Sequence, residues 1–185
     1  MLASSIKKYL RPLKISGRKG TLVSTLSSAI APHDDYDEAL IKRLLKTLGQ
    51  DFDRPLRCAY CGQKATTWDH VYPTVSKQEF TGAGHRIRNL VPCCSPCNSR
   101  KGNKDWREFL DTLKLRPSVR NCRKRQISAY IKGCKKETAK RWRSLPEFKA
   151  LQATRGKILK LMELGDRQAA AVRKKLHGDA NKKRR

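Results

Sequence analysis

The chain is poor in acid: 16 Asp plus Glu stand against 43 Lys plus Arg in 185 residues, a net charge of +27. That deficit goes far beyond what solubility asks of a small protein. It calls for an anionic counterpart, and nucleic acid is the usual one when positive charge runs along a whole chain. Long apolar runs are missing as well. No stretch approaches the ~18 uninterrupted apolar residues of a spanning helix, and the opening MLASSIKKYLRPLK lacks the apolar run and small-residue cleavage site of a secretion signal. No membrane partner is expected, and a reducing cytoplasm is the expected compartment. Seven cysteines, an odd number, suit metal ligation with a few spare thiols better than a disulfide framework. There is no internal repeat.

The charge divides the chain. Residues 114–185 carry 24 basic and 5 acidic side chains, whereas residues 1–113 carry 19 and 11. In the front, GTLVSTLSSAIAP predicts a short helix ending ahead of Pro32. DYDEALIKRLLKTLG predicts a second one, capped by Asp34 or Asp35, with Leu40, Leu44, Leu45 and Leu48 at helical spacing and Gly49 as the stop. In the back, helices are expected at about 124–143, 146–164 and 166–176, with Gly165-Asp166 as the last break, and the terminal NKKRR is expected to be disordered. This gives three parts: a helical supporting lobe over 1–54, a core over 55–113, and a basic helical extension over 114–185 suited to gripping nucleic acid.

The core begins CAYCG and ends CCSPCNSRKG. Thiolates two residues apart can reach one tetrahedral ion, and Gly62 permits the tight turn after the first pair. Of the adjacent Cys93 and Cys94, only Cys94 repeats the two-residue gap to Cys97, so Cys58, Cys61, Cys94 and Cys97 are the expected zinc ligands and Cys93 the spare. A simple ribbon separates its pairs by ~15 to 20 residues, whereas 32 residues lie between Cys61 and Cys94. The interval therefore houses something else. ATTWDHVYP is strand-like and closed by Pro73, a loop with Gly82 and Gly84 follows, and RIRNLVPCC is strand-like again. After Cys97, NSRKGNKDWREFLDTL turns helical, with Trp106, Phe109, Leu110 and Leu113 on one face.

This order of Cys-x-x-Cys, Asp-His-x-x-Pro, Asn-Leu-x-x-x-Cys and Cys-x-x-Cys-Asn-x-x-Lys-Gly, over roughly residues 56–110, resembles the HNH endonucleases. The resemblance implies an α+β fold: a small, treble-clef-like ββα-metal core stapled by zinc, with mainly helical flanks. It also implies that His70 is the first named histidine, Asn89 the middle asparagine, and Asn98 the last position, where many members have His. Phosphodiester hydrolysis needs an activated water and charge neutralisation at the phosphate. A neutral imidazole at His70 can take the proton. Asp69 and Asn98 form a hard-oxygen pair suited to a Mg²⁺ or Mn²⁺ cofactor, and Asn89 is given the task of orienting the loop. Neighbours on a regular strand face opposite ways, so convergence of Asp69 and His70 requires a bend between them.

Arg100, Lys101 and Lys104 are candidates to line a backbone groove, and Arg141 and Arg143 flank a tryptophan in the basic extension. His85 reads either as structural or as a phosphate contact. The expected function is a metal-dependent endonuclease acting on DNA, duplex most of all, in a bacterial or phage-infected cell. A restriction, homing or phage role and a homodimer are left open. The rival is a non-catalytic zinc module that binds nucleic acid within a larger assembly.

Overall fold

The computed structural model describes residues 3–8, 10, 12–135 and 139–182. Residues 23–142 form one compact unit, and the segments before and after it form another. In the larger unit, β1 (Thr67–His70) pairs antiparallel with β4 (Leu90–Cys93), and the short β2 (Val75–Ser76) and β3 (Glu79–Phe80) form a second hairpin in the loop between them. Helix α3 (Ser95–Lys101) packs on β1 and completes a ββα unit. The fold is α+β, as expected.

Helices α1 (Lys19–Ala29) and α2 (Glu38–Thr47) lie where the apolar spacing predicts them. The cap differs. Asp37, not Asp34 or Asp35, accepts from the Leu40 backbone N–H at 2.8 Å, because Asp34 is committed to Arg86 and the Ile87 N–H, 52 and 53 residues away. The stretch after Cys97 is two helices rather than one. Gly102 ends α3, and Asp105 caps α4 (Trp106–Asp111). The predicted apolar face of α4 is buried, and Trp106, Phe109 and Leu110 share one core with Leu44 and Leu45 of α2 and with Val71 and Val91.

The predicted helix over 124–143 is also two: α5 (Pro117–Tyr130), which opens with proline at its first position, and α6 (Ala139–Arg143). Ile127 and Tyr130 of α5 join the same core, and the Tyr130 hydroxyl donates to the Leu90 carbonyl at 2.7 Å, so this basic helix braces the ββα unit from outside.

In the other unit, α7 runs unbroken from Pro146 to Lys182. The expected break at Gly165-Asp166 is absent because that glycine serves a close approach. A Cβ there would meet Ile15 Cδ1 at 2.8 Å, and Asp166 accepts from the Ile15 and Ser16 backbone N–H groups. A helical glycine costs only about 1 kcal/mol relative to alanine, which such contacts readily offset. Of the tail expected to be disordered, Asn181 and Lys182 lie in α7, and 183–185 fall outside the described residues.

Candidate metal centre and active site

The sulfurs of Cys58, Cys61, Cys94 and Cys97 all lie within 4.8 Å of one another, with Cys61 and Cys94 at 3.6 Å. Four thiolates at Zn–S distances of about 2.3 Å need sulfurs roughly 3.8 Å apart, so the cluster fits one tetrahedral zinc with little rearrangement. Cys93 is outside it. Its Sγ is fully buried, 3.8 Å from Cys58 Sγ, and donates to the Cys94 carbonyl. Strand alternation explains this: Cys93 is the last residue of β4, paired with Thr67, while Cys94 starts the turn into α3.

Asp69 stands opposite Val91 and His70 opposite Leu90, and the ladder continues through the Val71 N–H to the Asn89 carbonyl at 2.9 Å. The bend between Asp69 and His70 is therefore absent, and the two side chains diverge to opposite faces. Asp69 turns inward and is 5% exposed. Tyr60 donates its hydroxyl at 2.7 Å, and Lys101 Nζ lies 3.0 Å from one carboxylate oxygen and 3.3 Å from the other. Burial pushes the Asp69 carboxyl pKa up, while the Lys101 charge pulls it down.

Lys101 departs from expectation. It is 1% exposed and donates to the His70 carbonyl at 2.7 Å, so it cannot touch a phosphate in this conformation. The cause is helical spacing. Asn98 and Lys101 lie one turn apart on the face of α3 toward β1, and they reach the Trp68 and His70 carbonyls, two residues apart on the strand. Arg100 and Lys104 remain exposed, as do Arg141 and Arg143 of the basic extension, whereas Trp142 between the latter is buried against Phe80. Asp69 and Asn98 have the donor chemistry for Mg²⁺ or Mn²⁺. The carboxylate, however, is engaged by an ammonium and a phenol, and the pair does not fit a divalent ion unless Lys101 withdraws.

His70 faces the other way, partly exposed. Its Nε2 lies 2.9 Å from Nδ1 of His85. Burial, then the His85 and Lys101 charges, lower its pKa to about 4, so the imidazole is neutral at pH 7. Asn89 is buried and closes the loop beneath it: its Oδ1 accepts from the Tyr72 N–H at 2.8 Å, and its Nδ2 donates to the Tyr72 and Gly84 carbonyls at 3.0 and 2.9 Å. A Cβ on Gly84 would fall 1.9 Å from the Pro32 carbonyl oxygen, where the His85 N–H donates at 2.8 Å. Residues 32–34 thus hold His85 in place. The sequence offered one signal for His85, its position after two glycines in a loop; it offered none for Tyr60 or for the inward turn of Lys101.

A paired-thiol cluster, a neutral histidine on the strand between the pairs, and an asparagine clamping the loop stand in one continuous segment. Residues 58–104 match the HNH endonuclease family. The match spans both cysteine pairs, β1, β4 and α3, and stops before α4. That segment is thus similar to a nuclease-type family, and the four-cysteine cluster inside it is a candidate metal site. No curated protein and no solved structure matches the chain.

Proposed function

We propose that the protein is an endonuclease that hydrolyses phosphodiester bonds in DNA. The observation that carries this reading is His70: a neutral imidazole on the partly exposed face of β1, in the HNH segment, in a chain of net charge +27. It takes the proton of the attacking water. Asn89 acts as a positioning residue that fixes the loop carrying His85. Arg100, Lys104, Arg141 and Arg143 hold backbone phosphates, and the four-cysteine cluster holds a structural zinc. Mg²⁺ or Mn²⁺ at Asp69 and Asn98 belongs to this reading only in a state where Lys101 has left Asp69. Restriction, homing and phage roles all use the same chemistry.

The closed Asp69–Lys101 pair favours a second reading, a non-catalytic zinc module that binds nucleic acid within a larger assembly. One experiment separates the two. Purified protein is incubated with plasmid and Mg²⁺ or Mn²⁺, beside His70→Ala. Cleavage by wild type that falls about 10²- to 10⁴-fold in the variant, with zinc content and DNA affinity retained, supports the nuclease. Equal cutting by both, or none by either, supports the binder.

A further inference from the structure

Residues two apart on a strand share a face, so the face of β1 that carries His70 also carries Trp68. That indole is 45% exposed, whereas Trp106 and Trp142 are 0% and 8% exposed. Beside it is a cleft of about 350 Å³ lined by Asp35, Tyr36, Trp68, His85, Leu90 and Tyr130 among others. This is at the small end of ligand-sized pockets. His85 belongs to both places: the residue lines the cleft, and its ring hydrogen-bonds His70. The cleft therefore opens one side chain away from the proposed base.

Among the described residues no lysine or arginine lines the cleft, despite the net charge of +27, so it is not built for phosphate. What it offers is the exposed Trp68 and Tyr36, the apolar Leu90, and the exposed Asp35; the neighbouring Asp34 is already held by Arg86 and the Ile87 N–H. A flat ring with an N–H group on its edge satisfies both features. It stacks on the aromatics and donates to the carboxylate, and the basic surface would bring in the polyanion that carries it. In a closed duplex both faces of a base are stacked and its edge is paired, so only an unpaired or extruded base can enter.

We propose that this cleft binds one unpaired nucleobase next to the scissile phosphate, with Trp68 as the stacking platform, so that the preferred substrate is single-stranded or locally opened. The position relative to the scissile phosphate rests on the nuclease reading; the binding of the base does not.

The test uses the full zinc-loaded chain with His70→Ala, in which cleavage is slowed about 10²- to 10⁴-fold, and two probes: a short oligothymidine and a closed hairpin duplex. Since the other two tryptophans are buried, quenching of indole emission by added oligonucleotide reports Trp68. The expected result is quenching by oligothymidine and not by the hairpin. Trp68→Ala should weaken oligothymidine binding about five- to hundredfold, leave hairpin affinity unchanged, and be rescued by Trp68→Phe. Absence of quenching, equal loss on both probes, or a Trp68→Ala variant that changes association state without changing oligothymidine affinity would overturn the proposal, the last assigning the cleft to a protein contact. Failure of the nuclease reading is seen separately. Wild type and His70→Ala would then behave alike on plasmid, while the Trp68 signal could persist.

Discussion

His70 Nε2 and His85 Nδ1 lie 2.9 Å apart, close enough that one must donate to the other and that both cannot be cationic together. If Nε2 of His70 donates, its Nδ1 keeps the lone pair that a general base needs. Burial and the His85 charge put the His70 pKa at about 4, below its ordinary 6.5. The folded state thus disfavours the protonated ring, and stability contributed by His70 is full above pH 6.5 and declines as pH falls toward 4. Activity should hold down to about pH 5. His85→Ala should admit solvent, move the pKa back toward 6.5 and shift the acid limb of the kcat/KM profile upward, which a pH titration of the His70 ring by NMR would check. An unmoved limb in His85→Ala would show that the pair does not set the base.

Gly84 is the anchor of that pair. Gly84→Ala should force the backbone away from Pro32, cost about 1–3 kcal/mol in urea denaturation, and reproduce the His85→Ala pH shift, since His85 is held through the adjoining N–H. A variant as stable as wild type, with an unchanged His70 titration, would remove residues 32–34 from the site.

The buried Asp69–Lys101 pair should be costly to break from one side. Lys101→Met leaves a carboxylate at 5% exposure beside the Tyr60 hydroxyl with its ammonium partner gone, and removal of one partner of a buried pair costs about 3–5 kcal/mol. Asp69→Asn in the same chain should recover most of that loss. DNA affinity and its salt dependence should stay as in wild type, because Nζ is inside the fold; a loss of affinity equal to that of Arg100→Ala would show that Lys101 swings out to the phosphate.

These residues also show what the sequence could carry. The cysteine register was legible because two-residue gaps are a local property of metal ligation, and the α2 and α4 faces were legible because helical apolar spacing is local too. The Asp69–His70 divergence followed from strand alternation, but the bend expected there was set aside by a ladder to β4 that no local signal announces. Asp34 and Asp35 read as the caps of α2 whereas Asp37 takes that place, and only the distant Arg86 and the Ile87 N–H show that Asp34 is spent elsewhere. Likewise Gly165 reads as a helix stop until Ile15, 150 residues earlier, is found packed on it.

Zinc should be found at about one per chain by metal analysis. Cys94→Ala should lose it and unfold the core, since zinc binding of ~10 to 16 kcal/mol in peptide models exceeds the net stability of a typical domain. Cys93→Ala should keep the metal, because that sulfur lies outside the four-cysteine cluster, and lose only the packing of one buried side chain. Zinc retained in Cys94→Ala and lost in Cys93→Ala would reverse the register.

The exposed Lys157, Lys160, Arg167, Lys174 and Lys175 of α7 belong to the stretch that holds most of the net charge, yet none of the proposed catalytic groups. They should supply affinity without chemistry. Each phosphate neutralised on duplex DNA steepens log K against log[salt] by about 0.9, so replacing all five with Gln should make the slope shallower by up to about 4.5 and weaken binding most at low salt. Saturating kcat and zinc content should not change. Fluorescence anisotropy across a salt series measures the slope directly, and one that matches wild type would assign the charge of α7 to solvent or to a partner other than DNA.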